Sequence, residues 1–188
     1  MALGASNLPV TKPYGWLKSL CSIFFFLLGS LAFSQTRSLR PTSRLTLSIS
    51  MLTQALLIFI AAILVETGVV PAPLDGIVAD VNFLELIPLA LLAFQSGGQI
   101  VTSRILGFNE VPTTVLTSVY CDLMMDTNLL KKGNVKRDRR ASAVIAFLVG
   151  GIAGGWLSRS SGGLASALWT AGGIKLCIAI AWMCWRGK

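Results

Sequence analysis

Five long apolar runs, separated by short charged or proline-containing stretches, most constrain how this chain can fold. Of its 188 residues, 54% are hydrophobic and 13% are charged, a composition too apolar for a single soluble core. An apolar run of about 20 residues crosses a bilayer as a helix, because a helix satisfies its own backbone hydrogen bonds. We therefore predict an all-α polytopic transmembrane helix bundle and treat residues 1–188 as one membrane domain. The predicted spans are about 16–33, 45–65, 83–101, 141–157 and 164–185.

Basic residues predict the orientation of these spans, because short loops rich in Lys and Arg stay on the cytoplasmic side. The loop 34–44 carries three Arg and no acid, whereas residues 66–82 carry three acids and no base. We predict an outside N-terminus, an inside C-terminus and a multi-pass integral membrane protein. For the first run, a cleaved signal peptide is the alternative, since Ser30 and Ala32 fit a small-x-small cleavage rule.

The stretch 111–130 lies between two predicted cytoplasmic ends and therefore should not cross the membrane. The third span should end inside near Arg104, and the basic stretch 131–140 should also lie inside. The residues of 111–130 are too polar for a helix that faces lipid and too apolar for a free loop. A re-entrant half-helix buried among other helices fits this composition, and an amphipathic helix on the cytoplasmic surface is the alternative.

Polar residues in or beside the apolar runs are the candidate lining of a solute cavity. Gln95 and Gln99 share one helix face at i and i+4. Lys175 lies roughly 16 Å into the last span at about 1.5 Å per residue, near the midplane, where an unpaired ammonium is costly. We expect Lys175 to face the interior and to pair with Asp122, with Glu85 as second choice; a purely structural tie between helices is equally open. The candidate set is Gln95, Gln99, Thr113, Thr114, Thr117, Ser118, Asp122 and Lys175.

Glycines in the fourth span predict close helix packing. Two overlaid GxxxG patterns allow a neighbouring backbone to approach closely, and we expect packing rather than ligand binding there. The four glycines are Gly150, Gly151, Gly154 and Gly155.

Several chemistries lack the residues they need. The chain has no His, and its four Cys form no CxxC pair, so we expect no metal site and no cofactor. The net charge of +8 sits in short clusters between apolar runs, which indicates topology signals and not a nucleic-acid partner. Asp122 and Asp126 at i and i+4 are a weak acid/base signal, and we do not expect an enzyme.

The order of spans and loops suggests an inverted repeat. We assign a first, partial repeat to residues 1–70 and a second repeat to residues 83–188, with helix pairs that run in opposite senses. Inverted repeats with broken helices are common in secondary transporters, where they build a site near the midplane.

The sequence resembles a known membrane family. Residues 89–140, with the run LLAFQSGGQIVTSRILGFNEVPTTVLTSVYCDLM and then NVKRDRR, resemble the YoaK-like family, a domain of unknown function, and most closely its fungal branch. The start, ALGASNLPVTKPYGWLKSLCSIFFFLLGS, is similar to the stretch that follows the family's first helix and its Thr-Gly-Asn element. The resemblance implies a shortened member that lacks both, in a family with no assigned substrate or reaction.

Two functions from different classes follow from these patterns. The first is a transporter-like protein for a small solute in the lipid bilayer. The alternative is a non-transporting accessory or scaffold subunit, an inactive shortened paralogue that binds another membrane protein or forms a homo-oligomer. Solute flux by the purified chain separates the two.

Overall fold

The structure is a computed structural model that describes residues 15–38, 43–69, 83–108, 116–128 and 133–184. Within these ranges every regular element is helical. Short 3-10 turns at Gln35–Ser38 and Phe83–Glu85 accompany six α-helices: α1 Gly15–Ser34, α2 Arg44–Glu66, α3 Leu86–Ile105, α4 Leu116–Met124, α5 Val135–Ser158 and α6 Gly163–Cys184. All but α4 are long and apolar enough to cross a membrane. The predicted all-α bundle with five spans is therefore confirmed.

Helix α5 begins at Val135, earlier than the predicted start at residue 141. Asn134 precedes it as an N-cap, and its side-chain oxygen accepts a hydrogen bond from the backbone N–H of Arg137 at 3.2 Å. Asp138 adds a negative charge to the first turn, where the helix dipole favours it. The capped start makes the basic residues after Val135 part of the helix rather than part of a loop.

Helices α2 and α6 form an antiparallel pair at the centre of the bundle. The hydroxyl of Ser48 donates to the carbonyl of Ala179 at 2.8 Å near one end of the pair. Further along, Gly172 on α6 lies against the ring of Phe59, which occupies the space that a Cβ would need. The absence of a side chain at Gly172 thus permits the close approach of the two helices.

Helices α1 and α3 pack in parallel and also depend on glycines. A Cβ at Gly29 on α1 would overlap the backbone of Phe94, and a Cβ at Gly97 on α3 would overlap the backbone of α1 near Ser30. Lys18 pairs with Glu85 where the two helices begin. Helix α3 packs against α2 as well, so it joins the α1–α3 pair to the α2–α6 pair.

The contacts fix the relative direction of all five long helices. Helices α1, α3 and α6 run one way, and α2 and α5 run the other. We call the end where α3 stops and α5 starts the basic end, because Arg104, Arg137, Arg139 and Arg140 lie there. The Arg139 guanidinium lies 5.1 Å from the ring centroid of Phe108, which joins α5 to the residues after α3. The chain between α3 and α5 therefore starts and finishes at one end of the bundle, as predicted for a segment that does not cross.

Helix α4 is a short element on the outside of α5. Its nine residues span about 13 Å, less than half of a bilayer core. Most of its side chains are exposed, and Val119 is its one buried residue among those whose burial is described. This exposure favours the amphipathic surface helix over the re-entrant half-helix.

The glycines predicted to pack in the fourth span face open space. No residue of α5 is buried, and nothing lies within 4 Å of a Cβ placed at Gly150, Gly151, Gly154 or Gly155. Among the described glycines, those that lie against a neighbouring helix are between α1 and α3 and between α2 and α6. Packing through the α5 glycines stays a prediction about contact with another molecule.

Candidate functional site

A half-buried, charged side chain lies where α2, α3 and α6 meet. The ammonium of Lys175 donates hydrogen bonds to the side-chain oxygen of Gln54 on α2 at 2.7 Å and to that of Gln95 on α3 at 2.5 Å. Lys175 follows the start of α6 by roughly 18 Å and precedes its end by roughly 13 Å, so it lies near mid-depth. The contacts therefore bring three helices together around one positive charge.

The hydrogen bonds continue from Gln54 towards the basic end. The amide nitrogen of Gln54 lies 3.3 Å from the hydroxyl of Ser50, and that hydroxyl lies 3.2 Å from the hydroxyl of Thr102. Thr102 in turn donates to the carbonyl of Gly98 at 2.9 Å. Gln54 has no exposed surface, and Ser50 and Thr102 are also buried. We refer to Lys175, Gln54, Gln95, Ser50 and Thr102 as the polar cluster.

The local helix geometry explains why these residues meet. Ser50 and Gln54 are four residues apart on α2 and share one face, so the amide of Gln54 reaches back to the hydroxyl. Gln95 and Thr102 are seven residues apart on α3, which also places them on one face. These two faces lie towards Lys175 on α6, which contacts Gln54 and Gln95.

The polar cluster carries a positive charge that neutral amides solvate. An ammonium has three N–H donors, and the two glutamine oxygens accept from two of them. Hydrogen bonds to a charged group contribute about 1.5–3 kcal/mol each, which offsets part of the cost of placing Lys175 at mid-depth. Neither glutamine cancels the charge itself.

The predicted ion pair between Lys175 and Asp122 is wrong. Asp122 lies at the basic end on α4, where its carboxylate is 3.8 Å from Arg140, and Glu85 at the opposite end pairs with Lys18. The prediction failed because α4 lies on the outside of α5, away from the mid-depth position of Lys175. The other acids of the described ranges also have other partners. Glu66 accepts a hydrogen bond from the indole N–H of Trp169, and Asp126 and Asp138 lie beside arginines.

The structure places the remaining candidates apart from the polar cluster. Gln99 is half-buried on α3, one turn from Gln95, and its side chain forms no hydrogen bond with the described part of the chain. Thr117 is exposed on α4, and Ser118 is half-buried there. Thr113 and Thr114 lie outside the described residues. Sequence reasoning thus found two members of the cluster, Gln95 and Lys175.

Sequence reasoning missed Gln54, Ser50 and Thr102. None of the predicted candidates lies in the second span, although Ser50 and Gln54 have the same i and i+4 spacing as Gln95 and Gln99. A polar pair on one helix face in each of two spans would have predicted that α2 also contributes to the polar cluster.

A second polar group holds α4 against the start of α5, outside the spans. The backbone N–H of Asn128 donates to one oxygen of Asp126 at 2.9 Å, and the side chain of Asn134 donates to the other at 2.9 Å. The hydrogen bond from Asn128, then that from Asn134, and the nearby Arg140 hold the pKa of Asp126 below its ordinary value. The carboxylate is therefore ionised at neutral pH and ties the two helices together. No cluster of His, Cys, Asp and Glu large enough to hold a metal occurs in the described ranges.

Comparison with known proteins assigns the family. The family model described as "Protein of unknown function (DUF1275)" matches residues 1–181. The chain belongs to the DUF1275 family. The match confirms the resemblance to the YoaK-like family, while the fungal branch and the shortened start stay predictions. No curated protein and no solved structure matches this DUF1275 chain.

Proposed function

We propose that this DUF1275 chain is a transporter-like membrane protein whose polar cluster binds a small anionic solute. The observation that carries the proposal is the positive charge of Lys175 at mid-depth, with two amide oxygens and no carboxylate as its partners in the described ranges. Ionisable groups within spans are costly, and they commonly mark solute or ion pathways.

The charge of Lys175 suggests the class of solute. An anion that reached the third N–H of the ammonium would gain a charge-assisted hydrogen bond in surroundings of low dielectric constant. Gln54 and Gln95 would hold the ammonium in place from the two helices opposite. Small carboxylates and inorganic oxyanions fit this requirement, whereas a cation would be repelled.

The arrangement of the helices also supports a carrier. The pair α1 and α2 and the pair α5 and α6 run in opposite senses, which is the order that an inverted repeat requires. In inverted-repeat transporters the solute site lies near the midplane between repeats. Lys175 on α6 of the second repeat meets Gln54 on α2 of the first, so the polar cluster joins residues from both.

Stability and flux measurements with matched variants test the proposal. The purified full chain is melted in detergent with acetate, formate, sulfate, phosphate and chloride, and counterflow of any stabilising anion is then measured in proteoliposomes. We expect at least one anion to raise the melting temperature and to move across the membrane. Lys175→Met should abolish both effects, while Lys18→Met, which removes a cation at the helix start, should retain them. No stabilisation that depends on Lys175, together with no flux, would contradict the proposal.

A second candidate is a non-transporting accessory subunit. Its support is α5, which has no buried residue and presents its four span glycines to open space. In a membrane such a face suits the close approach of another helix. Gly154→Leu should then break a stoichiometric complex or homo-oligomer in mild detergent, while Ile152→Leu at an exposed position should not. Flux by the purified chain alone would argue against this candidate.

A further inference from the structure

A cavity at the basic end is not used by the polar cluster. It is a shallow cavity, largely open to the surroundings, between the residues at the end of α3 and the first turns of α5, and its volume is about 570 Å³. Its lining consists of Ser103, Phe108, Val135, Asp138, Arg139, Ser142 and Ala143.

The cavity spans the boundary between the charged and the apolar part of α5. Helix α5 carries its charged residues up to Arg140, and from Ala141 onwards it is uncharged and mostly apolar. The lining combines polar groups, among them Arg139 and the hydroxyl of Ser142, with apolar groups such as Phe108 and Ala143. In a spanning helix this boundary marks the level where lipid headgroups meet acyl chains. A ligand that fills the cavity must therefore be amphipathic.

The charge of the lining points to an anionic headgroup. Asp138, the one acid of the lining, is bonded to Arg137 at 2.6 Å. Arg140 faces Asp122 and Asp126. By contrast, the guanidinium of Arg139 lies over Phe108 and forms no ion pair with the described residues.

We propose that this cavity binds an anionic glycerophospholipid of the surrounding leaflet. Arg139 and Ser142 receive the headgroup phosphate, and Phe108 and Ala143 contact the glycerol and the upper acyl carbons. An arginine suits this role because its planar donors match phosphate oxygens and its face stacks on an aromatic ring. Basic pockets between spans on the cytoplasmic side are suited to anionic lipids.

Lipid binding to the delipidated full chain tests this site. The dissociation constant is measured in detergent for phosphatidylglycerol and phosphatidylcholine, and inorganic phosphate is used as a competitor. We expect phosphatidylglycerol to bind in preference to phosphatidylcholine, and Arg139→Gln to weaken that binding at least about tenfold. The matched control is Arg159→Gln, which removes an exposed arginine next to the opposite end of α5 and should leave binding unchanged.

Each contrary outcome overturns the proposal in a distinct way. Equal losses from Arg139→Gln and Arg159→Gln would show non-specific charge attraction. Equal binding of both lipids would remove the role of the headgroup charge, and full displacement by millimolar phosphate would identify a free anion as the ligand. If Arg139→Gln does not elute as a folded chain, Phe108→Leu keeps the charge and should weaken phosphatidylglycerol binding by removing the stacked ring.

Discussion

The ammonium of Lys175 on α6 lies 2.7 Å from the side-chain oxygen of Gln54 on α2, and Gln54 is completely buried between the helices. A buried amide this close to an ammonium must present its oxygen, so its nitrogen turns to Ser50, 3.3 Å away. Dipoles rather than a carboxylate thus solvate the charge. Among the described residues no carboxylate bonds to Lys175, which is why we propose that it binds an anion.

Replacing Gln54 should cost more stability than replacing a glutamine outside the polar cluster. Gln54→Leu removes one acceptor of the Lys175 ammonium and leaves that N–H unsatisfied, so we expect a loss of about 1–3 kcal/mol. Gln99→Leu is the matched control, because the side chain of Gln99 forms no hydrogen bond with the described residues, and it should change stability by less than about 0.5 kcal/mol. Reversible unfolding of the purified variants in detergent measures both. Equal losses would mean that the contact with Lys175 is not stabilising.

Glycine substitutions should separate the packed helix faces from the open one. Gly97→Ala places a Cβ against the α1 backbone around Ser30, so we expect a loss of about 1–3 kcal/mol from overpacking. Gly151→Ala on α5 meets nothing within 4 Å and should gain up to about 1 kcal/mol from helix propensity. The melting temperatures of the two variants as monomers measure whether the stability changes have opposite signs. A destabilised Gly151→Ala monomer would show that α5 is packed within the chain after all.

Asp126 should make the contact between α4 and α5 sensitive to acid. Its pKa in the folded chain lies below the ordinary 3.8, so the ionised form stabilises the fold fully above that value. This contribution is lost as the pH falls through the folded pKa. We expect the melting temperature of the wild type to fall more steeply than that of Asp126→Asn between about pH 5 and pH 2. Asp138→Asn removes a charge on the same helix pair but keeps the hydrogen bond from Asn128, and it should retain the steep fall.

The helix directions predict which loops share a side of the membrane. A reporter at Asn128, between α4 and α5, should reach the cytoplasm, and one at Arg159, between α5 and α6, should reach the opposite side. Glycosylation or cysteine-labelling reporters at the two positions measure this directly. An outside location for Asn128 would mean that the chain crosses the membrane between α3 and α5, contrary to the contact between Phe108 and Arg139.

Most of the fold could be predicted because lipid imposes a simple rule on each span. Apolar runs and basic loops gave five helices and their alternation, since a spanning segment must satisfy its own backbone hydrogen bonds. Which helices touch could not be read from the same pattern. The GxxxG pattern of α5 is stronger in sequence than the isolated Gly29 of α1. Yet Gly29 and Gly97 each lie against the backbone of the other helix, because packing depends on the face that meets a neighbour.

The sequence allowed prediction of those features of the site that depend on one helix alone. The depth of Lys175 follows from counting along one helix, and its need for a partner follows from the cost of a charge in lipid. The choice of partner depends on which helices adjoin α6 and at what height. Asp122 had the complementary charge, but it lies on α4 at the basic end, whereas Gln54 and Gln95 lie at the depth of Lys175.

The most direct test of the proposed anion site is the charge preference of a thiol placed beside Lys175. In a chain whose native cysteines are replaced by Ser, Gln95→Cys is labelled in membranes with an anionic and with a cationic methanethiosulfonate reagent. We predict that the anionic reagent reacts at least about tenfold faster relative to a free thiol, and that adding Lys175→Met abolishes this preference. Absence of labelling by both reagents, or a preference that survives Lys175→Met, would contradict an accessible anion site at the polar cluster.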